Sequence, residues 1–138
     1  MTCTQAQILT FLWRAAGSPE PAGSNDFSNA AVTAGQYYYE AMLWAYENGV
    51  VDDPDLDPDA PCTRSDVVTY LWKLDGSPEA ESESTFTDVS SAAPYAAAVH
   101  WAVKDAITAG TSATTFTPAA TCTRGEIVTF LYRYFGGE

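Results

Sequence analysis

The chain has 138 residues, 46% of them hydrophobic, with 18 acidic against 6 basic side chains and a formal charge of −12. That length suits one compact domain or a few small repeats sharing a core, and the apolar content is too high for a disordered chain. The charge opposes nucleic acid and anionic membranes, no apolar run could span a bilayer, and residues 1–20 lack the basic start and apolar block of a signal peptide.

Taken in chain order, the predicted elements form a repeat. Thr4 precedes Gln7 by three residues, the spacing of a capping box in which each side chain satisfies the other residue's backbone amide. Ile8, Leu9, Phe11 and Leu12 share one face and Arg14 supplies the cation favoured at a helix C-terminus, so a helix is predicted over about 5–15. Gly17-Ser18-Pro19-Glu20 is a turn-forming linker. A second helix, about 36–48, follows from Tyr39, Met42, Leu43 and Tyr46 on one face, with Asn48-Gly49 as its stop. Asp52, Asp53, Asp55, Asp57 and Asp59 then form a solvated acidic loop. A calcium site is disfavoured there, because the glycine and distal glutamate of an EF-hand loop are missing and Pro54 and Pro58 limit how the chain could wrap an ion.

Residues 61–73 restate residues 2–14. Cys62, Thr63, Asp66, Val67, Val68, Tyr70, Leu71 and Lys73 predict a third helix over about 64–74, and Gly76-Ser77-Pro78-Glu79 restates the linker. Pro94 suits the start of a fourth helix, about 93–105, whose Tyr95, Ala98, Val99, Ala102 and Ala106 make a narrow face. Trp101-Ala102 answers Trp44-Ala45, Phe86 answers Phe27, and Phe116-Thr117-Pro118 answers Leu56-Asp57-Pro58. The element returns a third time at 121–133, with Thr123, Glu126, Ile127, Val128, Phe130, Leu131 and Arg133 predicting a fifth helix over about 124–135. Cys3, Cys62 and Cys122 set a period of about 60 residues. The expected organisation is the late helix of an incomplete first repeat (1–16), a second repeat (27–75) and a third (86–135).

Each cysteine precedes a threonine cap, where an apolar residue staples onto the residue five later: Cys3 on Ile8, Cys62 on Val67, Cys122 on Ile127. Small buried hydrophobes are preferred to a zinc cluster, which lacks CxxC spacing, and to a disulfide framework, which an odd count cannot complete. His100 has Leu43 at its equivalent position and reads as a surface bystander, not half of a Cys–His nucleophile pair. With no phosphate loop, triad or metal-ligand spacing, no catalytic residue, cofactor or metal is predicted. Trp13, Trp72 and Tyr132 are repeat-equivalent, as are Trp44 and Trp101, which suits core and sugar-stacking roles equally; Tyr37, Tyr38 and Tyr39, being adjacent, cannot all face one core.

Phe86-Thr87-Asp88-Val89, Tyr95, Ala98-Val99, Trp101-Ala102, Phe116-Thr117-Pro118 and Thr123-Arg124-Gly125-Glu126 together resemble the S-layer homology repeat. The resemblance covers nearly the whole chain. It implies an all-α fold of helix–loop–helix repeats in a pseudo-threefold bundle, holding bacterial surface proteins non-covalently to pyruvylated secondary cell-wall polysaccharide. It also implies ligand grooves between neighbouring repeats, with the motif arginine as a principal contact. An export signal would then lie outside this sequence.

Arg64 and Arg124 occupy first helical positions, where a cation opposes the helix dipole at about 0.3–1 kcal/mol. Such a guanidinium clamps a ligand carboxylate beside the free helix amides, or is salt-bridged to an acid such as Asp88 or Glu126. The expected best site is Arg124 with Glu126, Asp88, Trp101 and Gly110; Arg64, with Asp66 in its motif, gives a weaker one. The first repeat lacks its early helix and has Gln5 in the arginine's place. With the acidic loop and the missing export signal, this favours an alternative: a repurposed acidic module that binds another protein, as an inhibitor or nucleic-acid mimic. The missing early helix also allows an oligomer in which another chain supplies it.

Overall fold

A computed structural model describes residues 3–21, 27, 32–33, 35–79, 86–90, 93–108, 110–112 and 114–135. Parts of the expected first repeat (1–2), of the second repeat's opening (28–31, 34) and of the third repeat's loop (91–92, 109, 113) lie outside them. Five helices occur among the described residues: α1 Gln5–Ala15, α2 Tyr39–Glu47, α3 Arg64–Leu74, α4 Ala96–Lys104 and α5 Arg124–Phe135. The fold is all-α, and the extended pairing among these residues is confined to single bridges, Thr4 with Pro61 and Thr63 with Thr121.

The three late helices start where their caps dictate. Thr4 Oγ1 accepts from the Gln7 amide at 3.2 Å while Gln7 Oε1 accepts from the Thr4 amide at 2.8 Å. The same reciprocal pair joins Thr63 with Asp66 and Thr123 with Glu126. Asp66 thus reaches the cap amide despite its shorter side chain, at 2.9 Å. At the far ends, Trp13 Nε1 donates to the Pro19 carbonyl and Trp72 Nε1 to the Pro78 carbonyl, both at 2.7 Å. These bonds fold the glycine–serine linkers back onto their helices.

The early helices are shorter than the sequence pattern suggests. The chain before each makes turns closed three residues back: Gln36 and Tyr39 amides donate to Thr33 and Gln36 carbonyls, and Ala93 and Ala96 amides to Ser90 and Ala93. The α-helical register therefore begins only at Tyr39 and Ala96, after Pro94. Both helices end by the same wrap, in which Val50 and Ile107 amides donate to Ala45 and Ala102 carbonyls at 2.9 and 2.8 Å. Gly49 adopts φ +73° in that wrap, and Ala106 holds the equivalent place at φ +59°.

Two compact units result, residues 1–62 and 63–138. In the first, α1 packs on α2 and the loop before Cys62 lies over the start of α1; in the second, α3 packs on both α4 and α5. Each unit thus joins the late helix of one sequence repeat to the early helix of the next. Ile8, Leu9, Leu12, Met42 and Leu43 are buried in the first core; Val67, Val68, Leu71, Val99, Ile107, Phe116 and Ile127 in the second. Cys3, Cys62 and Cys122 are buried thiols, as are the aliphatic residues expected to staple onto them. Of the three adjacent tyrosines, Tyr38 is buried and Tyr37 is 60% exposed.

Candidate functional site

Within the second unit, Arg64 projects from the first position of α3 into the loop that leads to α5. Its Nε donates to the Phe116 carbonyl and its Nη1 to Glu126 Oε2, both at 2.8 Å. The guanidinium carbon lies 4.8 Å from the Phe116 ring centroid and 5.4 Å from that of Phe130, so the cation is also held by two aromatic faces. Only 5% of the residue is exposed. The cost of a cation at a helix start is therefore offset by a charge-assisted bond, a carbonyl and two rings.

Behind this arginine, Asp88 fastens the loop. Its two oxygens accept the Phe116 amide at 2.9 Å and the Thr117 amide at 2.8 Å. Thr117 sits at φ +59°, unusual for a β-branched residue, and the Asp88 bond helps keep it there. Glu126 closes the chain of contacts from the other side: Oε1 caps α5 through the Thr123 amide at 3.0 Å while Oε2 takes Arg64.

Both carboxyls titrate below their usual range. Partial desolvation raises the Asp88 carboxyl, but the amides of Phe116, Thr117 and Asp88 itself, with the nearby Arg64 charge, outweigh it. Desolvation likewise raises Glu126, and the Thr123 amide and hydroxyl and Arg64 outweigh it. The unfolded chain therefore takes up protons at these groups before the native one does. Their stabilisation is complete above the ordinary carboxylate range and drains as pH falls through that range into the lowered native one. Thermal melts from pH 6 to pH 3 are expected to show this fall, and Asp88→Asn is expected to flatten it.

In front of Arg64 opens a cleft of about 480 Å³, lined by Arg64, Thr108, Gly110, Thr123, Gly125, Glu126, Thr129, Phe130 and Arg133. The volume lies within the usual range for small-ligand sites. Gly125, Thr129 and Arg133 follow one another at four-residue spacing along α5, so one helix face forms a wall. Arg133 Nη1 donates to the Ile107 carbonyl at 3.2 Å, which holds its guanidinium at the cleft. Gly110 is required by close approach: at φ +89°, an added Cβ would lie 2.5 Å from Phe86 Cε1 and 2.6 Å from the Thr115 carbonyl. Two guanidiniums, three threonine hydroxyls and one phenyl ring thus converge around one carboxylate. That surface is locally cationic in a chain of net charge −12.

Of the residues singled out from the sequence, Glu126 and Gly110 line this cleft together with Arg64. Arg124 is exposed at the first turn of α5, outside the lining. Asp88 supports the cleft from behind. Trp101 is buried at the core, its ring 5.8 Å from Tyr134, and Asp66 is committed to the cap of α3. Sequence reasoning passed over Arg133, Thr108, Thr129 and Phe130; the spacing Gly125-Thr129-Arg133 was the available signal. In the first unit Gln5 occupies the place of Arg64, buried, its Nε2 donating to the Pro61 carbonyl at 3.2 Å. The aspartate loop is organised by its own turns, with Asp53 and Asp57 accepting the amides of Asp55 and Asp59 at 2.9 Å. Among the described residues, no group of three or more His, Cys, Asp or Glu could hold a metal.

The sequence profile of the S-layer homology domain matches residues 32–68 and 85–128, together more than half of the chain. The chain belongs to the S-layer homology family. No curated protein matches it. S-layer homology domains are binding modules that attach proteins to the cell wall or cell surface, and this chain carries that general role. No helix among the described residues is long and apolar enough to cross a membrane. Each S-layer homology match ends inside a late helix, α3 or α5, so the second match carries most of the cleft and the first supplies Arg64.

Proposed function

We propose that this module anchors a bacterial surface protein by taking an acidic sugar of the wall polysaccharide, such as a pyruvylated residue, into the α3–α5 cleft. The reading rests on one observation: two guanidiniums, Arg64 and Arg133, face a polar, ligand-sized cleft with a single carboxylate among its lining residues. A ketal-linked carboxylate is planar and suits a guanidinium fork, while the threonines suit sugar hydroxyls and Phe130 a ring face. Because attraction is confined to the cleft, the overall negative charge does not prevent binding; it is screened within about 8–10 Å at physiological salt. The module binds without catalysing a reaction.

Gly125→Leu tests the cleft without harming the fold. An added Cβ there meets nothing within 4 Å, and replacing a glycine in a helix favours the helix. The leucine would fill the cleft mouth and is expected to abolish sedimentation with polymer-bearing sacculi. Arg124→Ala, outside the lining, is expected to change binding by about twofold or less. Undiminished binding by the leucine variant would remove the cleft from consideration.

A further inference from the structure

Thr108 sits where the fold asks only for an apolar side chain. After α2 and α4 the chain wraps back in the same way: the amides of Val50 and Val51 both donate to the Ala45 carbonyl, and those of Ile107 and Thr108 to the Ala102 carbonyl. Val51 and Thr108 therefore hold equivalent places, and both are buried, at 4% and 5% exposure. A valine completes the wrap in the first unit, so the hydroxyl in the second serves something other than the wrap. Its oxygen accepts the Gly110 amide at 3.0 Å, but its proton has no acceptor among the described residues. Of the other threonines lining the α3–α5 cleft, Thr129 spends its proton on the Gly125 carbonyl at 3.0 Å and Thr123 is half-buried. Thr108 thus brings to the cleft a donor that is withheld from bulk water and left unspent, a state that a bound acceptor relieves.

We infer that Thr108 is a specificity-determining residue of this cleft, its hydroxyl donating to a ligand carboxylate. The inference rests on the acidic-sugar reading and adds to it the neutral group that tells a carboxylate from an uncharged counterpart. Arg133 is tethered to the carbonyl of Ile107, the residue next to Thr108, so guanidinium and hydroxyl address the cleft from adjoining points. A carboxylate has an oxygen for each. A hydrogen bond from the hydroxyl to that charged acceptor is roughly twice as strong as one to a neutral oxygen.

The test uses the full chain and a methyl glycoside bearing a ketal-linked pyruvate, as the free acid and as its methyl ester, each competing against polymer-bearing sacculi. The unaltered chain should prefer the acid. Thr108→Val, which puts the side chain of the first unit into the second, should weaken acid binding by about tenfold or more, the loss of one hydrogen bond to a charged group, and ester binding by much less. Thr108→Ser should recover most of the acid binding. Equal weakening of acid and ester would mark a purely structural effect through the Gly110 amide and overturn the inference, as would acid binding unchanged in Thr108→Val. Neither result touches the cleft reading, which fails separately if binding to sacculi survives Gly125→Leu. An unaltered chain that ignores the glycoside in both forms overturns the two together.

Discussion

Replacing Gly110 by alanine is expected to lower the unfolding free energy of the second unit by about 2–5 kcal/mol, combining left-handed strain with overpacking. Neither neighbour of the new methyl can retreat cheaply. The Phe86 ring is buried against Phe116, with centroids 5.8 Å apart. The Thr115 carbonyl accepts the amides of Thr111 and Ser112 at 2.9 and 3.2 Å, so moving it breaks the loop that presents the cleft. Urea unfolding followed by tryptophan fluorescence measures the loss. Gly125→Ala, with open space around its Cβ, is the control and is expected to be neutral or stabilising.

The second large effect concerns Arg64. Arg64→Ala is expected to cost about 2–4 kcal/mol, because it strands the buried Phe116 carbonyl and takes the guanidinium away from Glu126 Oε2 while emptying the space between two rings. Glu126 is 38% exposed at its side chain, so water recovers part of that loss and the figure stays below the upper range for a fully buried pair. Arg64→Lys should restore only part of the stability, since an ammonium cannot serve a carbonyl, a carboxylate and two aromatic faces at once. Arg124→Ala, equivalent in sequence but exposed, should change stability by about 0.5 kcal/mol or less. The same unfolding experiment separates the two arginines.

That contrast marks where sequence reasoning stops. Caps, faces and linkers were legible because they are local: Thr123 and Glu126 are three residues apart, and Trp72 meets Pro78 six residues on. The late helices accordingly begin at their predicted residues. The early helices were overextended because turns closed three residues back carry the same apolar spacing as helix. The lining of the candidate cleft was half legible. Gly110 and Glu126 were found by their motif, but Arg64 reaches its partners across 52 and 62 residues of chain. Equivalence in a repeat says that Arg64 and Arg124 have the same preferences; it does not say which of them has a following loop to enter. The compact units, which cut across the sequence repeats, record that difference.

The most direct test of the account is co-sedimentation of the pure protein with protein-free bacterial cell-wall sacculi, before and after the secondary polymer is stripped off. Binding to intact sacculi that disappears with the polymer and is lost in Gly125→Leu is the expected result. Binding that persists on stripped sacculi, or no binding to intact sacculi from several wall types, would contradict it and favour a protein partner for this acidic module.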